Sequence, residues 1–287
     1  MNIIVGATGQ VGSQVIQQLK QQGYPVRAVV RNKDKLADPS MDWRRADLMH
    51  EAELVSAFEG GTSAFVLTPE NPASKDILGD TERIVSNYVK AIRATGIQKV
   101  VALSCVGAHV DGKTGNVLMS RMLEQELAAL PVEKTFIRPS YYFSNWTAYR
   151  DSLQADGLLP SFFPEELKID MHSPIDLAAF VAQALIAPTE AGTKVYELTG
   201  PEKYSVRNVA HSYSAWLNRK IAVHFIPRKQ WRDELLAAGF TDNTAENLSD
   251  MTQAVIEGLV VPEHPEKAIK LPTSLSAYLE EQVNMHA

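Results

Sequence analysis

A short apolar run, Asn2-Ile3-Ile4-Val5, passes directly into Gly6-Ala7-Thr8-Gly9-Gln10-Val11-Gly12 and then into Ser13-Gln14-Val15-Ile16-Gln17-Gln18-Leu19. The order is strand, glycine turn, helix. Glycines three residues apart let the backbone turn tightly, approach a ligand closely and seat the new helix against the strand. The first N–H groups of that helix then face an anion, for which a dinucleotide pyrophosphate is the natural candidate. The context on both sides of the glycines separates the pattern from an ordinary strand-to-helix turn.

The rest of the first half repeats the alternation. Residues 25–30 read as a second strand, 44–48 as a third, 63–67 as a fourth, 99–104 as a fifth and 133–137 as a sixth. Helices are expected at 51–59, 76–94 and 116–130, with Gly23, the pair Gly60-Gly61 and Gly96 as stops. The fifth strand is almost wholly apolar, as a parallel strand covered on both faces must be. Right-handed crossovers then give an α/β fold, a Rossmann-type doubly wound parallel sheet. The expected division is a nucleotide-binding domain over residues 1–139 and a smaller mixed lobe over 140–287, partly folded back onto it. In the second half, helices are expected at 175–186 and 206–217, strands at 195–199 and 221–226, and mainly helix thereafter.

The residue after the second strand selects the cofactor. An acidic side chain there accepts from an adenosine ribose 2′-hydroxyl; Arg31 instead offers a planar cation to a 2′-phosphate, with Asn32, Lys33 and Lys35 adding donors and charge. NADP(H) is therefore favoured over NAD(H). Ligands of open α/β sheets sit beyond the carboxyl ends of the strands, which brings Thr68 and Pro69 to the cofactor cleft and Ser104 and Cys105 beside it. Cys105 has no basic neighbour in sequence and reads as a small buried residue. After the sixth strand, Ser140-Tyr141-Tyr142-Phe143-Ser144-Asn145-Trp146 gathers aromatic and small polar groups. Tyr141, Phe143, Asn145 and Trp146 are the candidates to hold a planar substrate.

Composition excludes other classes. A net charge of −6 over 287 residues, without a basic block, disfavours nucleic acid. No apolar run reaches the roughly 18 residues that span a bilayer, and a strand starting at residue 2 leaves no room for a signal peptide, so a cytoplasmic location is expected. Scattered histidines and a single cysteine support neither a metal site nor a disulfide framework.

Taken together, Gly6-Ala7-Thr8-Gly9-Gln10-Val11-Gly12, Val30-Arg31-Asn32, Phe136-Ile137-Arg138-Pro139 and Val195-Tyr196-Glu197-Leu198-Thr199-Gly200-Pro201 make the chain resemble the NmrA-like branch of the atypical short-chain dehydrogenases/reductases. Within it, the likeness is to the NADPH-quinone oxidoreductase type 2 and triphenylmethane reductase group. The resemblance implies that Gly6, Thr8, Gly9, Gln10 and Val11 wrap the pyrophosphate, that Arg31 meets the 2′-phosphate and that Thr68 lies along the ribose. Ser104 falls where the larger family often keeps a catalytic serine.

One departure matters. The Tyr-x-x-x-Lys pair of the larger family, whose lysine lowers the tyrosine pKa for proton exchange, has no counterpart here; counting back from Arg138 through Glu124, its positions fall on Asn116 and Ser120. An alcohol dehydrogenase or sugar epimerase is therefore disfavoured. Two readings stand. One is a reductase passing hydride from NADPH to a quinone-like or other electron-poor aromatic acceptor, with Tyr142 or water supplying the proton and Ser104 and Ser120 beside it. The other is a non-catalytic NADP(H) sensor that reports redox state to a protein partner through residues 107–115 or the C-terminal lobe. A homodimer is compatible with both.

Overall fold

The computed structural model describes residues 1–286, with side chains except at 151 and 282–286. Its first half is β1 (Asn2–Val5), α1 (Gln10–Gln21), β2 (Val26–Val30), β3 (Asp42–Arg45), α2 (Glu51–Phe58), β4 (Ser63–Leu67), α3 (Ile77–Thr95), β5 (Lys99–Leu103), α4 (Val117–Ala128) and β6 (Glu133–Pro139). The second half is β7 (Tyr141–Tyr142), α5 (Arg150–Ala155), β8 (Leu158–Ser161), β9 (Ile169–His172), α6 (Pro174–Ile186), β10 (Thr193–Thr199), β11 (Lys203–Tyr204), α7 (Val206–Leu217), β12 (Ala222–Phe225), α8 (Arg228–Ala237), α9 (Asp242–Ile256), β13 (Ile269–Lys270) and α10 (Leu275–His286).

Eight strands form one parallel sheet in the order β13-β10-β6-β5-β4-β1-β2-β3. The chain leaves β1 toward β2 and β3, then returns to β4 on the other side. This reversal opens a crevice beyond the ends of β1 and β4. Side-chain alternation explains why the strands are apolar throughout. Ile3, Val5, Val66, Val100 and Ala102 pack against α2, α3 and α4 through Leu54, Phe58, Tyr88 and Leu123. The intervening Ile4, Phe65, Val101 and Ile137 pack on the opposite face against Val15 and Leu19 of α1 and Leu177 and Val181 of α6. Each fully buried side chain of this size contributes roughly 1.5–3 kcal/mol, so both covering layers are needed.

The doubly wound α/β fold expected from the sequence is the fold observed. Its boundaries differ locally. The third strand ends at Arg45 because Asp47 turns the chain: its carboxylate accepts from Met49 N at 3.0 Å, while Glu53 reaches back to Asp47 N at 2.8 Å. Gly23 and Gly96 stop their helices in the left-handed region, at φ 77° and 71°.

Residues 174–199 belong to the main sheet layer, with α6 against α1 and β10 paired to β6 in the register Tyr196↔Ile137. A second core gathers Phe143, Trp146, Leu159, Met171, Tyr213 and Leu279 below the short strands β7, β9 and β11 and the β8–β12 pair. The chain passes from sheet to lobe at Gly200, where an added Cβ would lie 1.9 Å from the Met171 carbonyl oxygen. Gly200→Ala is therefore expected to cost about 1–3 kcal/mol, read as a lower urea midpoint with an unchanged slope.

Candidate functional site

Each glycine of the β1–α1 loop meets a different restriction. Gly6 has φ +65°, and a Cβ there would sit 2.9 Å from Leu67 Cδ2 at the end of β4; one on Gly12 would sit 2.2 Å from the Gly6 carbonyl oxygen. Gly9 N donates to that same oxygen at 2.9 Å, closing the turn, and Ser13 N makes the first helical bond to Gly9 O at 3.0 Å. The N–H groups of Gln10, Val11 and Gly12 therefore lie ahead of the first helical bond. The first turn of α1 carries neither an acidic side chain nor a side-chain cap. A backbone cradle at the positive end of a helix remains, suited to a phosphate-bearing group.

From this cradle a cleft of about 1200 Å³ runs across the ends of β4, β5 and β6 and under the lobe. Gly6, Gly9, Gln10 and Val11 line one end; Thr68, Pro69, Ser104 and Ser120 line the middle, and Tyr141, Tyr142, Asn145 and Trp146 the far side. Thr8 is exposed on the loop, outside this lining. Arg31 is exposed at the end of β2, with Arg45 standing beside Val30 in register on β3. Among the described residues it is Arg27 and Arg44, not Arg31, that pair with Asp42. Asn32 caps the short turn that follows, its side-chain oxygen accepting from Asp34 N at 2.9 Å.

The aromatic segment divides. Phe143, expected to meet a substrate, is fully buried against Tyr204 and Tyr278 at ring-centroid distances of 5.4 and 5.7 Å, so it belongs to the lobe core. Trp146 is only 1% exposed and donates to Met171 Sδ at 3.4 Å, which makes it a wall against Tyr141. Tyr141 and Tyr142 present part of their rings to the cleft. Burial raises the pKa of both hydroxyls above the ordinary tyrosine range, and no lysine flanks them as in the Tyr-x-x-x-Lys arrangement. Burial likewise pushes the Cys105 thiol up to about 12, in keeping with a structural cysteine.

The serines point to a network that sequence reasoning missed. Ser104 Oγ donates to Glu124 Oε1 at 2.5 Å, and Glu124 binds Arg138 through two bonds of 2.9 and 2.8 Å. Arg138 also reaches Glu263 at 2.7 Å and Glu197 at 3.6 Å. Glu197 in turn accepts from the backbone N–H groups of Glu263 and His264, each at 2.8 Å. This fastens the 258–264 segment, whose Val260, Val261 and Pro262 close the cleft, to the ends of β6 and β10. The sequence signal was slight: Arg138 and Glu197 are charged residues near the carboxyl ends of β6 and β10, strands that carry other charged residues as well. Residues 107–115 are braced as well: Lys113 pairs with Asp250 at 3.0 Å, and Gly115 (φ +55°) lies where a Cβ would strike Asn247 O. Arg138→Met is expected to destabilise the protein by about 3–5 kcal/mol, because Glu124 and Glu197 would stay buried without their counter-ion. Urea titrations should show this as a lower midpoint with an unchanged slope.

Among the described residues no helix is long and apolar enough to cross a membrane, and no cluster of side chains could hold a metal ion. An NAD(P)H azoreductase of Xenophilus azovorans is 25% identical over 258 residues, covering 88% of this chain and 86% of the relative. The NADPH-dependent quinone oxidoreductase of Escherichia coli, solved with NADPH, superposes with a TM-score of 0.82 at 24% identity over 99% of this chain and 100% of the other. The triphenylmethane reductase of a Citrobacter species, solved with NADP(H), gives a TM-score of 0.79 at 20% identity over 98% and 99%. The model of the NmrA-like family matches residues 2–279, so that sheet, glycine cradle and covering lobe are those of a family, and the chain belongs to the NmrA-like family.

Proposed function

We propose that this protein is an NADPH-dependent reductase that passes hydride to a quinone-like or other conjugated, electron-poor small molecule. The observation that carries the reading is the continuity of one cleft from the glycine cradle to a pocket walled by Tyr141, Tyr142 and Trp146. The residues present fit the cofactor: an α1 N-terminus free of acidic side chains for the pyrophosphate, Gly6, Gly9 and Gly12 in a turn too tight to admit a Cβ, and Arg31 with Arg45 for a 2′-phosphate. NADPH, when bound, supplies the hydride.

The protein's own share is positioning. Tyr88 fixes the end of β4 by donating to Leu67 O at 2.9 Å, which sets where Thr68 and Pro69 stand. Ser104 is held by Glu124, and the 258–264 segment covers the cleft and limits water. Holding donor and acceptor face to face in such a site supplies much of a hydride-transfer rate. The azoreductase, quinone and triphenylmethane activities of relatives share an extended π-system as acceptor, which agrees with the aromatic wall.

NADPH oxidation by purified protein, followed against a panel of quinones, azo dyes and carbonyls, is expected to show turnover with the conjugated acceptors. Tight NADPH binding with no turnover of any acceptor would favour a sensor. Arg31→Asp should weaken NADPH binding at least tenfold, equivalent to about 1.4 kcal/mol, and leave NADH nearly unchanged in calorimetry. Equal effects on both would make Arg31 a surface residue only.

A further inference from the structure

We propose that Glu70, held by Asn116 in the wall of the cleft, is the general acid that protonates the acceptor oxygen as hydride is delivered; this rests on the reductase reading above. Glu70 follows Thr68 and Pro69 directly at the end of β4 and lines the cleft. Asn116 Nδ2 donates to its Oε1 at 3.2 Å, which leaves Oε2 to carry the proton. Asn116 itself occupies the position to which the sequence count assigned the missing tyrosine. Where the larger family keeps a phenol, this chain keeps a carboxyl group beside an amide.

The carboxyl is positioned by a braced loop. Two residues further on, the Pro72 carbonyl accepts from Thr241 N at 3.0 Å and from Thr244 Oγ1 at 2.8 Å, and Ile77 N donates to Asn243 Oδ1 at 2.8 Å. The turn before α9 thus fixes the segment between β4 and α3 from above. The groups that face Glu70 from the other elements are Asn116 at the start of α4, Cys105 after β5, and Tyr141 and Tyr142 on β7. None is a cation; Lys168, Asp170, Lys203 and Glu234 are the charged residues that line the rest of the cleft, and Arg138 is engaged by carboxylates of its own. Glu70 is exposed on its open side, and desolvation by the protein packed around the rest of it raises its pKa above the ordinary carboxylate range, with the Asn116 bond opposing the shift.

The alternatives are weaker acids. The hydroxyls of Tyr141 and Tyr142 have pKa values raised by burial, and a phenol so shifted gives up its proton poorly at neutral pH. Ser104 already donates to Glu124. A carboxylic acid tuned upward toward the working pH is the better match. The step balances: hydride adds to the conjugated acceptor, the electron pair moves onto its oxygen, the Glu70 proton forms the O–H bond, and the carboxylate left behind takes a proton from solvent.

The test uses two classes of acceptor. A quinone needs a proton on oxygen, whereas a cationic triarylmethane dye takes hydride at carbon and needs none. Glu70→Gln is expected to lower kcat for a quinone about 100-fold or more while leaving dye reduction and NADPH affinity within twofold. For wild type, quinone turnover should fall as pH rises through the Glu70 pKa, and Asn116→Ala, which removes the opposing hydrogen bond, should move that limb to higher pH. Without cofactor, infrared difference spectra should show a protonated carboxyl persisting above the usual carboxylate range and missing in Glu70→Gln. Unchanged quinone turnover in Glu70→Gln, an equal loss with both acceptors, or titration of Glu70 in the ordinary range would overturn the proposal while wild-type activity keeps the reductase reading. Failure of wild type to reduce either acceptor overturns that reading, and this role with it.

Discussion

The arrangement of the cleft depends on one guanidinium. Arg138 leaves the end of β6 and meets carboxylates from α4, β10 and the 258–264 segment, so a single cation joins sheet, helix and cover. A buried ion gains nothing by burial alone, since the desolvation it suffers roughly equals the attraction it recovers unless its hydrogen bonds are complete. Here they are nearly so. The paired bonds to Glu124 use the planar fork, and Glu197 fills its remaining capacity with two backbone N–H groups. The result is specificity of arrangement: Glu124, held through both oxygens by Arg138, orients the Ser104 hydroxyl through Oε1.

The sheet and its cofactor end were legible because both follow from local rules. Ile3 and Ile4 fall on opposite covered faces by strand alternation, and the glycine spacing reflected a Cβ-to-oxygen approach of 2.2 Å that no other residue permits. The acceptor end follows from no local rule. Phe143 and Tyr142 are chain neighbours with the same aromatic character, yet one packs into the lobe core and the other faces the cleft, because β7 is a two-residue strand whose alternation is too short to read. The two-residue strand β11 escaped for the same reason. Glu70 was passed over because its surroundings come from four separate elements. Its neighbours Asn116 and Tyr142 are distant in sequence, and the Pro72 contacts that brace its loop come from residues 241 and 244.

This difference in legibility matches a difference in construction. The cofactor end is made of backbone: carbonyl and N–H groups of residues 6–13, with side chains excluded by distance. At Gly12 a substitution meets a main-chain oxygen, and at Gly6 the Leu67 side chain. The far end is made of side chains, among them Leu235, Met251 and Val255 of α8 and α9, which can change shape without disturbing the sheet. A fold built this way keeps one cofactor while its acceptor pocket varies.

Charge is distributed along the same axis. Two positive features, the α1 N-terminus and the Arg31 turn, stand at the end that a dinucleotide's phosphates would occupy, while Lys168 and Lys203 line the cleft together with Asp170. Around Tyr141 and Tyr142 the environment disfavours charge, raising the pKa of both phenols, of the Cys105 thiol and of the Glu70 carboxyl in the same direction. Four acids shifted upward together mark a region that resists new negative charge. Hydride transfer to a neutral conjugated acceptor creates such a charge on oxygen, so a region of this kind gains most from a proton delivered in the same step. That requirement connects the upward shift of these acids with a carboxyl group in the wall of the cleft.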